Sequence, residues 1–197
     1  FTREELETVE GLDHFERGVL LVPGQDAEEV VFSKILEYSD FDDVLNQLIS
    51  DLEAKAGELN LSLTEVLIAF VQAIPYQVGS HEKYPVETLM LGFGDCSDKS
   101  TLLKKLLGLT GIDSSLLLFE ELQHMALGVK VPQGSEGHVV NGFAFLECTA
   151  PFVVGSEPKP LVTDNTPVVS SAEFLLPDES LGEWKEYAEY WNAHAAS

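Results

Sequence analysis

An α+β domain is the fold class this sequence predicts, on three observations. Helical spacing of apolar residues dominates up to about residue 107, and strand-like alternation takes over between residues 114 and 149. The 197 residues are 45% apolar, enough for one ordinary core. No internal repeat breaks this order.

Residues 1–25 are mixed and acidic, ending in the apolar GVLLVPG. The next stretch predicts two helices with a break near Ser39-Asp40. Val31, Ile35 and Leu36 share one face of the first; Val44, Leu45, Leu48, Ile49 and Leu52 share one face of the second. A third helix starts at the S-x-x-E capping box of Ser62 and Glu65 and stops at Pro75. Residues 75–94 read as a long irregular connection, the kind that often carries function. From Asp95 a helix runs to about Leu107, with Leu102, Leu103, Leu106 and Leu107 as its buried stripe and Gly108 and Gly111 around its end.

Strands then follow: SSLLLFE, HMALGVKV, and HVVNGFAFLECT read as one strand, the last two joined by a turn at PQGSEG. A connection rich in Pro, Ser and Thr leads to a final helix, SLGEWKEYAEYWNAH. Its Trp184, Tyr187, Tyr190 and Trp191 read as core cover or as a partner-binding stripe. The expected organisation is a helical extension over 1–60, a core over 61–155, and a C-terminal connection and helix over 156–197 that complete the same domain.

Charge narrows the function classes. The formal net charge is −23, from 34 acidic and 11 basic residues. Such a surface repels phosphate backbones and anionic bilayers, so nucleic acid and direct membrane binding are not expected. Peptides and proteins remain as partners. Phe1 stands where a start Met would. The expectation is a processed piece of a larger protein, and an extracytoplasmic domain of a membrane-tethered parent is one form of it. Two cysteines make neither a disulfide framework nor a four-ligand zinc site, and SDFDD lacks the spacing of a calcium loop. No metal or cofactor is expected.

Chemistry gathers at GFGDCSDKSTLLKKLL. Cys96 follows Asp95, a good N-cap residue, and so falls in the first turn of a helix. A cysteine attacks only as thiolate, and an unperturbed thiol, pKa ~8.5, is mostly protonated at neutral pH. Free N–H groups and the helix dipole at that end favour the anion. The Cys96 N–H can also help hold an oxyanion, and Gly94 leaves room for a substrate carbonyl. The plainer alternative is that Cys96 is a small buried hydrophobe.

A nucleophile needs a base and a group that orients it. Of five histidines, His124 opens a strand-like segment in which His124, Ala126 and Gly128 share one face and Met125, Leu127 and Val129 the other. Such small neighbours suit an open site. His138 is the competing base, His81 is expected in solvent, and His14 and His194 lie far along the chain. Glu147 shares a face with Phe143 and Phe145, where a carboxylate is costly without a partner. A histidine one strand away would be one. The same alternation turns Cys148 away, which disfavours a Cys96–Cys148 disulfide.

The segments YPVETLMLGFGDCSDKSTLLKKLLGLTGI, HMALGV and FLECTAP together resemble the transglutaminase-like superfamily, a papain-related cysteine hydrolase fold, across residues 60–155. The closest flavour is the uncharacterised prokaryotic, often archaeal, domains, which share a similar F-V-Q-x-I-P-Y helix end. The resemblance implies Cys96 as nucleophile, His124 as general base and acid, and Glu147 as orienter of the imidazole. Asp is more usual at that last position. It also implies an upstream glutamine as second oxyanion donor: Gln72 in FVQAIPY is preferred, with Gln77 and Tyr84 as neighbours to consider. The reaction implied is acyl transfer on amide or peptide substrates through a thioester, with water favoured over an amine as acceptor. The alternative is a non-catalytic protein-interaction domain on the same fold.

Overall fold

The computed structural model describes residues 27–79, 81–119, 123–133, 139–140, 142–152, 154 and 174–175. Among them five helices precede a sheet: α1 (Ala27–Glu37), α2 (Asp42–Leu59), α3 (Leu63–Ala73), α4 (Pro85–Leu91), α5 (Cys96–Leu109), then β1 (Ser114–Phe119), β2 (His124–Lys130), β3 (Val139–Val140), β4 (Phe143–Leu146) and β5 (Phe174–Leu175). The chain is therefore mixed α+β. Two expected elements, the N-terminal 1–25 stretch and the aromatic final helix, lie outside the described residues, as do His14, His138 and His194.

Local signals set the helix ends. α1 stops at Glu37 and α2 starts at Asp42, around the expected break. α2 closes on Asn60 in the left-handed conformation, φ 55°. The Ser62–Glu65 capping box forms in both directions, satisfying N–H groups that the first turn of α3 leaves open. α3 ends at Ala73, with Ile74 already extended ahead of Pro75.

The 75–94 connection is not irregular throughout. Tyr84, Pro85 and Glu87 start the seven-residue α4: Pro85 pre-sets φ at the first turn, and the Glu87 carboxylate accepts the Tyr84 N–H at 2.8 Å. Gly92, φ 70°, ends it. The connection then returns to its own start, where Tyr76 and Gly94 form an isolated parallel bridge.

The sheet runs β3-β4-β2-β1-β5. β1 and β2 are antiparallel from Ser114↔Val129 to Phe119↔His124, and β2 and β4 from Leu127↔Leu146 to Lys130↔Phe143. HVVNGFAFLECT is two strands, not one. It folds back before Phe143, with Gly142 at φ 82°, so that Val139 pairs with Ala144. Asn-Gly between apolar pairs is a strong hairpin signal, and it outweighs the continuous apolar run. β5 joins the far edge of β1 in parallel, so the sheet is antiparallel only over its first four strands.

α5 lies against β1 and β2 and carries the core. Its Leu102, Leu103, Leu106 and Leu107 are fully buried and pack with Ile35 of α1, Leu45 of α2, Leu67 and Val71 of α3, and Met125 and Leu127 of β2. Burial of each such side chain contributes about 1.5–3 kcal/mol. The alternation along β2 holds, because Met125, Leu127 and Val129 face this core. The other face is not open, however. Ala126 and Gly128 are buried beside Phe119 and Phe145, whose rings meet edge to face at 6.5 Å. Small residues there make room for aromatic side chains rather than for a substrate.

Candidate active site

Asp95 caps α5. Its Oδ1 accepts the Ser97 and Asp98 N–H groups at 3.1 and 3.2 Å, and the Asp98 carboxylate accepts the Asp95 N–H at 3.1 Å. Cys96 is thus the first residue of the helix, and its own N–H has no acceptor among the described residues. Its sulfur lies 3.9 Å from the Gln123 carbonyl, and 8% of the residue is exposed. Gln123 takes φ 47°, a conformation that costs a non-glycine residue about 1 kcal/mol and often marks functional sites. The turn it makes delivers the next residue, His124, to the start of β2.

His124 and Glu147 meet: Nε2 and Oε2 are 2.9 Å apart, with the carboxylate only 1% exposed. The other carboxylate oxygen, Oε1, accepts from the Thr149 N–H at 2.8 Å and the Thr149 hydroxyl at 2.6 Å. The longer glutamate reaches the ring because it stands one residue past β4, where the chain begins to turn. Nε2 faces the acid, and the Cys96 sulfur lies near enough for its charge to act on the imidazole. Burial opposes a charge on His124, but the Glu147 carboxylate and the Cys96 sulfur outweigh it, and its pKa is pushed up to about 10. Burial likewise opposes ionisation of Glu147, yet His124 and Thr149 hold its carboxyl below the ordinary range. The pair is an imidazolium beside a carboxylate at neutral pH.

Gln72 does not have the expected freedom. Its side-chain nitrogen donates to the Glu147 carbonyl at 2.9 Å and to the Phe152 carbonyl at 2.8 Å, which uses both amide hydrogens. It braces the backbone on either side of the acid and has no donor to spare for an oxyanion. Gln77 is exposed, and the Tyr84 ring meets the Tyr38 ring at a tilt of 44°, centroids 4.7 Å apart. Gly94 serves packing within the protein, not substrate access. A Cβ there would stand 2.8 Å from the Asp98 Cβ and 3.0 Å from the Thr88 methyl.

Four residues that the sequence reading passed over complete the site. Lys99 is fully buried, and its ammonium donates to the carbonyls of Gln72, Ile74 and Thr149 at 3.2, 2.7 and 3.1 Å. It ties the C-terminal end of α3 and the turn after Glu147 to α5. Burial lowers its pKa to about 8. Its place was readable: Cys96, Lys99, Leu102, Leu103 and Leu106 follow the spacing of one helix face. Lys83 and Asp98 form a buried ion pair at 2.5 Å that pins the 75–94 connection to α5, and no spacing announces it. Thr149, two residues beyond Glu147, is the fourth.

Cys96 and Cys148 are both free thiols. Cys148 is wholly buried, and burial pushes its thiol up to about 12. Among the described residues no three His, Cys, Asp or Glu side chains group to hold a metal ion, and no helix is long and apolar enough to cross a membrane. Comparisons with protein-family models, with curated proteins and with solved structures find no match to this chain.

Proposed function

We propose that this chain is a cysteine-dependent acyl-transfer enzyme on a papain- or transglutaminase-like fold, acting on amide or peptide bonds, with water as the favoured acceptor. One observation carries the reading: a His124–Glu147 pair at 2.9 Å, its carboxylate 1% exposed and its imidazole under the influence of a cysteine at a helix N-terminus. In this reading the Cys96 thiolate adds to the substrate carbonyl carbon, and the carbonyl electron pair moves to oxygen. His124 gives its proton to the leaving amine as the C–N bond breaks, and a thioester remains. The neutral imidazole then takes a proton from water, whose oxygen displaces the thiolate. Glu147, held by Thr149, keeps the ring oriented through both steps.

The test is the pH dependence of Cys96 alkylation by iodoacetamide, read by intact mass in wild type and His124→Ala. The proposal expects rapid reaction well below pH ~8.5, where an ordinary thiol titrates, and a shift back toward that point in the variant. A Cys96 that ignores the substitution removes the support for catalysis. The second reading, a non-catalytic protein-interaction domain, draws on the small exposure of Cys96 and Glu147, 8% and 1%. It gains if Cys96 proves inert, and capture of binding partners then becomes the next experiment.

A further inference from the structure

Acyl transfer calls for hydrogen-bond donors aimed at the oxygen that becomes negative in the tetrahedral intermediate. The Cys96 N–H is one, being without an acceptor among the described residues. Gln72 is not the second, since both its hydrogens go to backbone carbonyls. Tyr76 stands close by. Its backbone is bridged to Gly94, two residues before Cys96: the Gly94 N–H donates to the Pro75 carbonyl and the Gln77 N–H to the Gly94 carbonyl, both at 3.1 Å. Its half-buried ring packs against the core cluster that includes Cys96. Its hydroxyl has no hydrogen-bond partner among the described residues.

We propose that the Tyr76 hydroxyl is the second oxyanion donor of the Cys96 site. This rests on the acyl-transfer reading above. As the thiolate adds, the carbonyl oxygen gains the electron pair and accepts hydrogen bonds from the Cys96 N–H and the Tyr76 O–H. Neither donor loses its proton. Collapse returns the pair to the carbonyl and expels the amine, protonated by His124. The phenol stays a neutral donor throughout, because burial and the negative charges nearby, Cys96 first among them, hold its ionisation above the ordinary value of 10.

An oxyanion donor assists acylation but not alkylation, which forms no oxyanion. The experiment follows two rates on Cys96 in wild type and Tyr76→Phe. One is acylation by p-nitrophenyl acetate, by p-nitrophenolate release and intact mass, with Cys96→Ala as blank. The other is alkylation by iodoacetamide. Phenylalanine keeps the ring, and an unchanged alkylation rate reports an intact site. The proposal expects acylation to slow by at least about tenfold and toward 100-fold, with alkylation within about twofold of wild type. A smaller effect on acylation, or equal loss of both rates, overturns the role of Tyr76 while wild-type acylation still upholds the enzyme reading. Wild-type Cys96 that alkylates but never acylates overturns that reading and the inference with it.

Discussion

At the scale of residues, the site is a set of charges that the fold holds away from their ordinary values. His124 has its pKa raised from 6.5 to about 10, so the folded chain binds its proton more tightly than the unfolded chain. That stabilisation is whole below pH 6.5 and is lost as pH rises toward about 10. Glu147, lowered from 4.5, contributes above that value and loses its contribution as pH falls through its lowered pKa. Lys99 acts the other way. Its pKa falls from 10.5 to about 8, so the cost of burying its charge is relieved as pH rises between those values. Urea denaturation across pH should therefore show stability falling most steeply between 6.5 and about 8, with Lys99 offsetting part of the loss above. His124→Ala should remove the fall and cost about 3 kcal/mol at neutral pH, because Glu147 is left charged and buried without its partner. Adding Glu147→Gln should recover part of that cost. If the double variant is no more stable than the single one, the pair is not the source of the effect.

At the scale of elements, α5 is the hub. One face of it carries Cys96, the four core leucines and Lys99, and its first turn holds Asp98 against Lys83. Lys99 matters most for alignment, since its three acceptors belong to α3 and to the turn after Glu147. A methionine fills the same space but donates nothing. Lys99→Met should thus leave buried carbonyls unpaired at about 1–3 kcal/mol each, less where water enters, for a total near 3 kcal/mol. The check is the shift in urea midpoint at pH 7. A loss under about 1 kcal/mol would mean that the ammonium is dispensable to how α3, α5 and the acid turn fit together.

For the whole molecule the governing term is charge. A net −23 makes the compact state repel itself, and salt screens that repulsion over a Debye length of roughly 10 Å at 0.1 M. The melting temperature should rise between about 0.02 and 0.5 M NaCl, by roughly 2–4 °C for each kcal/mol of repulsion removed. Differential scanning fluorimetry decides this. A melting temperature that falls with salt would show that ion pairs such as Lys83–Asp98 outweigh the general repulsion.

What the sequence determined by itself was local. The Ser62 and Asp95 caps, the leucine stripe of α5, the alternation along β2 and the helices-then-strands order were all legible, because each is written in residues a few positions apart. The juxtaposition of His124 and Glu147 was legible too, from strand faces and the cost of a lone buried carboxylate. Where two local signals competed, one hid the other: the apolar run hid the fold-back between Val140 and Phe143, and the glycines and prolines of 75–94 hid α4. Tertiary structure alone decided who bonds whom across the chain. Gln72 braces carbonyls 75 and 80 residues away instead of facing a substrate, and Lys83 finds Asp98 across the connection. Lys99 shows the division most sharply. Its spacing put it on the buried face of α5, but only the packing of α3 and the acid turn supplied the carbonyls that make a buried ammonium tolerable.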